Sequence, residues 1–548
     1  STDGDESDDE DESDADGDES DSDSDESNES GSDSATDDPS ADTDVADALK
    51  DLASKGDSTD RNQIVNILYP VFTDEDLKDR TITAAEFTKG AYDALAKANA
   101  PAADLDALES NWNAQFLATA KHMALEFSRR KNARQMTQAT TGKSGKLDLT
   151  KLAQYKFTDD LFKRTIVMPN GKSHGIVMLI DGSGSMSSQF KDVIDQTLLF
   201  AQFAFMVNIP FEAYMFSDAC DYDANGSRSG QFKMRSTGLN ALTLNETGRL
   251  IGLVNTTTDR GNFKRNVRAL LCVRAMYSRY NYGQTSDVNL STETLTAIGN
   301  IPHSHLSGTP LFCGILIAER HVARMKQTQK LDKTTFVVIT DGEDTNGMYY
   351  ESNNTNSYGY RRAGFARLDS AFVVRDAVTK KNLSYVNITN YSGTPYVQAQ
   401  NNAQLTMLLD VMKLRHDTRT VYIYLQEGRS FSSYRSRRYS RYSRPSYSVQ
   451  GFDYLVRAGK SDEAANIARE TVASQMKEDG QYVLPTTVSV ADLSIILPVN
   501  SVRLTENEFS DLNTDAMTQK KIAAEFTKSM VKAVANRKFV NSVIPHLI

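Results

Sequence analysis

Asp181, Ser183 and Ser185 stand at alternate positions in the stretch IVMLIDGSGSMSSQF, residues 176–190. One carboxylate and two hydroxyls at that spacing can converge on a hard cation such as Mg2+ or Mn2+. Gly182 and Gly184, between them, let the backbone bend closely around such an ion. Mg2+ takes near-octahedral oxygen ligands and seldom relies on an all-protein cage, so three ligands from one loop leave positions for others. Two further loops offer oxygens. LSGTPL supplies Thr309 directly before a helical stretch, and VVITDGE supplies Asp341 at the end of an apolar run. Asp-x-Ser-x-Ser alone is a weak signal, because acidic and serine residues are common in turns. The three loops together, in this order, form a specific pattern.

The loops need rigid elements behind them. From residue 174 onward the chain alternates between short β-branched runs and amphipathic stretches. GIVMLID, IPFEAYMFS, TTFVVITDGED and RTVYIYLQEG read as strands. FKDVIDQTLLFAQFAFMVN, NFKRNVRALLCVRAMYSRY, TPLFCGILIAERHVARMKQ and AQLTMLLDVMKLR read as helices. GFDYLVRAG and SDEAANIARETVASQMKED are the expected closing strand and helix. Such alternation predicts a doubly wound, mostly parallel α/β sheet covered on both faces. In such sheets ligands sit at the carboxyl ends of the strands, where Asp181 and Asp341 fall.

Length and charge divide the rest of the chain. Its 548 residues are too many for one ordinary core. Residues 1–47 hold 23 Asp or Glu and no Lys or Arg. The formal charge of −12 therefore hides a body with 50 acidic (73 less 23) and 61 basic residues. The acidic tract cannot bury enough apolar surface to order itself, and is expected to be a disordered tail that either solvates the protein or docks on basic surface. Residues 48–140 read as helices, one opening on a Thr-x-x-Glu capping box from Thr83 to Glu86. Residues 141–173 form a basic connector, and 174–477 carry the alternating pattern. Residues 478–548 read as a C-terminal extension with a strand-like DLSIILPV and a long helix. Within 174–477, residues 429–448 alternate six Arg and four Tyr with Ser. This insertion is a surface segment, or a surface for single-stranded nucleic acid or an acidic tail, with Arg435, Arg437, Arg438 and Arg441 as candidate partner contacts. Nucleic acid is the less favoured partner.

Several function classes drop out. Two Gly-Lys-Ser triplets, at Gly142 and Gly171, lack the earlier glycine of a phosphate-binding loop; Thr137 and Ile166 stand there instead. The chain is not expected to hydrolyse ATP alone. Cys220, Cys272 and Cys313 form no CxxC pair, so they read as core residues of a protein in a reducing compartment. The expected location is the cytoplasm, or the host cytoplasm for a viral protein. No run of about 18 apolar residues suggests a membrane span. Ser1 stands where an initiator Met is expected, which fits Met excision or an upstream cut. His303 and His305 lack a third ligand, and Glu343 and Asp344 read as solvated loop charges. Trp112 reads as core packing. Ser183 lacks the Gly-x-Ser-x-Gly spacing of a nucleophile elbow and has no nearby His, so no catalytic residue is assigned.

DGSGSM, SGTPL and TDGE, in that order, resemble the metal-ion-dependent adhesion site of von Willebrand factor A domains. The resemblance covers residues 174–477. It implies that Asp181, Ser183 and Ser185 bind the cation from the first loop, and that Thr309 and Asp341 contribute from the second and third, directly or through water. A second SGTP, Ser392 to Pro395, follows TDG in the wrong order and is set aside. The acidic tract, the connector GKLDLTKLAQYKF and the A domain together resemble CobT, the A-domain subunit of aerobic cobaltochelatase in cobalamin biosynthesis, and CobT-like phage proteins. That resemblance implies a ring-forming AAA+ ATPase of the CobS and MoxR type as partner, docking through a carboxylate on the metal. The expected function is a metal-dependent interaction subunit in substrate remodelling or metal insertion. The alternatives are a subunit of a cobaltochelatase-like enzyme, and a structural or adhesive protein, such as one of a virus particle, that uses the site without an ATPase.

Overall fold

The structure is a computed structural model that describes residues 65–137, 140–142, 165–167, 173–222, 228–280, 288–342, 344, 347–352, 364–368, 372–386, 396–426, 481–485 and 489–498. In chain order the principal elements are β1 (Val65–Tyr69), β2 (Thr81–Ile82), α1 (Ala84–Lys97), α2 (Ala102–Trp112), α3 (Ala118–Thr137), β3 (His174–Asp181), α4 (Phe190–Val207), β4 (Phe211–Asp218) and β5 (Gly248–Asn255). Then follow α5 (Arg260–Tyr280), α6 (Thr292–Ile298), α7 (Leu311–Thr328), β6 (Lys333–Thr340), β7 (Phe372–Asp376), β8 (Asn382–Val386), α8 (Tyr396–His416), β9 (Thr418–Gln426), β10 (Tyr482–Val483) and β11 (Leu493–Pro498).

The main sheet has the order β10-β11-β9-β6-β3-β4-β5-β2. Its five central strands, β11 through β4, are parallel, and β5 runs antiparallel to β4. The chain is thus a mixed α/β protein around a mostly parallel sheet. Successive side chains of a strand face opposite ways, and the core divides accordingly. Ile176, Met178 and Ile180 of β3 enter one apolar cluster with α4 and α5; Val177 and Leu179 enter the other with α7 and α8. The same split recurs in β6, where Val337 and Ile339 oppose Phe336 and Val338. A strand buried on both faces needs a continuous apolar run, which is why GIVMLID shows no alternation of polar and apolar residues.

The 48–140 stretch is not all helix. Within it β1 pairs parallel with β7, and β2 pairs with β5 at the edge of the main sheet. The capping box forms: the Glu86 carboxylate accepts from the Thr83 amide at 2.8 Å, and the Thr83 hydroxyl accepts from the Glu86 amide at 3.2 Å. The long helix is interrupted between α2 and α3 by a π turn, Asn113–Leu117. Trp112 is buried, as its type suggests, but it also donates its indole N–H to Asp195 Oδ1 at 2.9 Å. Arg274 of α5 meets the same carboxylate, so α2, α4 and α5 share one buried polar tie. The C-terminal stretch likewise supplies β10 and β11 to the main sheet, with β11 parallel to β9.

Residues 1–47, the Arg/Tyr segment 429–448 with Arg435, Arg437, Arg438 and Arg441, the expected strand and helix within 451–479, and the long helix after residue 498 lie outside the described residues. Cys272 and Cys313 are buried free thiols, and burial pushes them up to about 12 and about 11. Among the described residues no helix is long and apolar enough to cross a membrane.

Candidate metal centre

Chain direction through the sheet reverses between β3 and β6. From β3 the chain moves to β4 on one side; it later returns to β6 on the other. Crossovers leaving in opposite directions open a crevice at the carboxyl ends of the two strands. Asp181 is the last residue of β3, and Thr340 is the last of β6. The strands run in register, Ile180 beside Ile339, so Asp181 and the 340–342 turn meet at that crevice.

Asp181 is fully buried. Its Oδ1 accepts from the Ser183 amide at 2.8 Å, and its Oδ2 accepts from the Thr340 hydroxyl at 2.5 Å. Ser183 Oγ lies 2.9 Å from Ser185 Oγ, which donates to Asp341 Oδ1 at 2.8 Å. A continuous chain of oxygens therefore joins the first and third loops. Gly182 is required by close approach: a Cβ there would lie 2.7 Å from the Phe216 carbonyl oxygen. The second loop is zipped to the first through its backbone. The Gly184 amide donates to the Ser307 carbonyl at 2.7 Å, and the Ser307 amide donates to the Gly182 carbonyl at 2.8 Å. Thr309 follows two residues later, buried at the start of α7. Ser185 is exposed and Asp341 half-buried, so the cluster opens to solvent on that side.

Burial drives the Asp181 carboxyl up to about 7, and the negative charge of Asp341 adds to it; hydrogen bonds from Thr340 and Ser183 act the other way. No Lys or Arg bonds Asp181 among the described residues. The donor set is two carboxylates and several hydroxyls, with no sulfur or imidazole. Such a set fits a hard divalent cation, which would relieve the strain of placing two carboxylates together. Among the described residues no group of three or more His, Cys, Asp or Glu is placed to hold a metal ion, so a cation here would rest on two carboxylates and on hydroxyls. His303 is instead engaged by Arg249, 3.1 Å away, and burial and that charge hold its imidazole below the ordinary range.

Three residues of the site escape a reading of spacing. Thr340, inside the TDGE stretch, holds Asp181 in place. Gln189 donates its Nε2 to Asp341 Oδ2 at 2.7 Å, while its own Oε1 is buried without a hydrogen-bond partner. A one-turn 3-10 helix, Gly184–Ser188, carries Gln189 round to the third loop, and no local pattern announces that. Asp344, expected to be a solvated charge, is buried. Its Oδ1 accepts from the Phe312 amide at 3.0 Å, at the N-terminus of α7, where free amides and the helix dipole favour an anion. It ties the third loop to the second. Glu343 lies outside the described residues.

No protein-family profile matches the chain, and no curated protein matches it in sequence. Among solved structures, the pilus adhesin SpaC from Lactobacillus rhamnosus GG, in its open conformation, aligns with 56% of this chain at 10% identity and a TM-score of 0.23. The alignment covers 30% of the adhesin, and so loose a superposition bears on neither activity nor partner.

Proposed function

We propose that this chain is a divalent-cation-dependent protein-binding subunit. Asp181, Ser183, Ser185 and Asp341 hold Mg2+ or Mn2+, Thr309 contributes from the second loop, and a carboxylate of the partner completes the coordination. The observation that carries this reading is the buried Asp181 carboxylate, pressed towards neutrality by burial and by Asp341, to which the Ser183 and Ser185 hydroxyls connect it. Bound cation supplies a positive charge that both carboxylates and an incoming acid can share. Thr340 and Gln189 orient the two carboxylates, and Asp344 keeps the third loop against α7. The motif order supports the A-domain assignment, and the CobT-like arrangement favours an AAA+ ATPase of the CobS and MoxR type as the partner. A role in a cobaltochelatase-like complex is a narrower form of the same reading.

The test is affinity capture with the full chain in Mg2+ and in EDTA, beside Asp181→Ala. Capture of an AAA+ ATPase that needs both Mg2+ and Asp181 supports the reading. Cation-dependent capture of a surface or coat protein instead supports the adhesive alternative. Undiminished capture by Asp181→Ala in EDTA rules out docking through the metal.

A further inference from the structure

A second polar site lies away from the carboxyl edge. A cavity of about 360 Å3 opens where the N-terminus of α1, strand β5 and the first turns of α5 meet, with Arg324 of α7 on one side. Gly252 builds this junction. A Cβ at Gly252 would meet the Ala84 backbone nitrogen at 2.6 Å, so only glycine lets α1 approach β5 here. The strand also bulges between Gly252 and Val254, which turns its end outward.

Among the described residues the wall of the cavity carries Lys89, Arg265 and Arg324 and no carboxylate. Outside residues 1–47 the chain has 50 acidic (73 less 23) and 61 basic residues, and this wall gathers three of the basic ones. The nearby acids bond residues of the wall itself. Glu86 accepts from the Thr83 amide at 2.8 Å, and Glu212 accepts from the Tyr214 hydroxyl at 2.7 Å and Asn255 Nδ2 at 3.2 Å and pairs with Arg324 at 3.8 Å. Asp259 caps the first turn of α5 through the Gly261 and Asn262 amides, at 2.9 and 3.1 Å. Lys89 and Arg265 form no ion pair among the described residues. Arg265 is held 4.7 Å over the Tyr92 ring, and Arg324 Nη2 lies 3.3 Å from the Tyr214 hydroxyl, so both guanidinium groups are pre-positioned.

We propose that this cavity binds a small ligand carrying a phosphate group. Its volume falls in the range of small-molecule sites, roughly 300–1,000 Å3. The cations come from three different helices, α1, α5 and α7, so they approach from separate sides. A tetrahedral dianion with three free oxygens can use all three, whereas one planar carboxylate is satisfied by a single guanidinium fork. Thr258 and Asn262 add neutral polar groups at the rim.

The experiment is titration calorimetry of the full chain in EDTA, which removes any contribution from a bound cation. The probes are inorganic phosphate, pyrophosphate and AMP, each alone, with acetate as the carboxylate control. Saturable binding of a phosphate probe but not of acetate is expected. Lys89→Ala/Arg265→Ala, two exposed positions, should weaken it by about tenfold or more, the scale of lost charged hydrogen bonds. Asp181→Ala should leave it unchanged. AMP binding more tightly than phosphate assigns a phosphorylated organic molecule; equal affinity assigns the free ion. The proposal is overturned if no phosphate probe saturates at millimolar concentration, if the double variant binds like the parent, or if Asp181→Ala abolishes binding. None of these results depends on whether the metal centre binds a partner.

Discussion

Asp181 and Asp376 are the same residue type in the same position, the last residue of a strand, and both are fully buried. Their chemistry is opposite. Burial alone would raise both. At Asp376 the Arg415 guanidinium outweighs it: Nε donates to Oδ1 at 3.0 Å and Nη2 bonds the same oxygen. The Val378 amide and the Thr379 hydroxyl add to this, and the group is held down to about 2. At Asp181 only hydroxyls and an amide answer the charge, Asp341 adds to it, and the carboxyl rises to about 7. Arg415 also bonds Glu319 and the Tyr69 carbonyl, fastening β1 and β7 to α7 and α8. Where the chain brings its own cation, the buried carboxylate is a structural tie. Where no Lys or Arg among the described residues reaches it, burial and Asp341 leave the carboxyl raised to about 7.

The largest test of this contrast removes the internal cation. Arg415→Met takes the guanidinium from Asp376 and leaves Glu319 with His416 and the Tyr69 hydroxyl, and a broken buried pair costs about 3–5 kcal/mol. Urea unfolding of parent and variant measures it; a loss below about 1 kcal/mol would mean that solvent reaches these carboxylates. Next comes the external cation. At about 100 times its Kd, Mg2+ should stabilise the parent by about 2.7 kcal/mol, and Asp181→Asn should abolish that gain. In EDTA the variant should unfold within about 1 kcal/mol of the parent, because the Asn oxygen can keep the Ser183 amide while its NH2 donates to the Thr340 hydroxyl, which can turn to the Gly342 carbonyl. Equal stabilisation of both proteins by Mg2+ removes Asp181 from the ligand set.

His321 shows a third solution, in which a buried group stays neutral. It stacks on Tyr214 with ring centroids 4.7 Å apart, and burial, with the charge of Arg324, pulls it down to about 3. Its folded value lies below its unfolded one. The stability it contributes is therefore complete above about pH 6.5 and is lost as pH falls towards 3. Between pH 7 and pH 5 the parent should lose about 2 kcal/mol more than His321→Gln in parallel urea melts. Identical losses would place a proton on His321 in the folded state. The smallest expected effect is at Gln189. Gln189→Ala removes the donor that orients Asp341 and should weaken Mg2+ binding about tenfold by calorimetry, a scale typical of outer hydrogen bonds to metal ligands. An unchanged affinity would mean that Asp341 is positioned without Gln189.

The strands that end at Asp181 and Thr340, the helices α4, α5, α7 and α8, and the capping box at Thr83 are legible from residue types and their order. These are local: a doubly buried strand must be continuously apolar, an amphipathic helix must repeat every 3.6 residues, and a cap needs its hydroxyl and carboxylate three residues apart. The rest depends on contacts between residues far apart in the chain. β1 exists because β7 offers it a partner far along the chain, and VNILY alone does not declare that pairing. The Gln189 bond to Asp341, the placing of Asp344 on α7 and the division between a closed carboxylate at Asp376 and an open one at Asp181 depend on which side chain arrives from elsewhere. A charge in water is much alike at every position. In the core its state is set by the few atoms within hydrogen-bonding distance, and those are chosen by the fold.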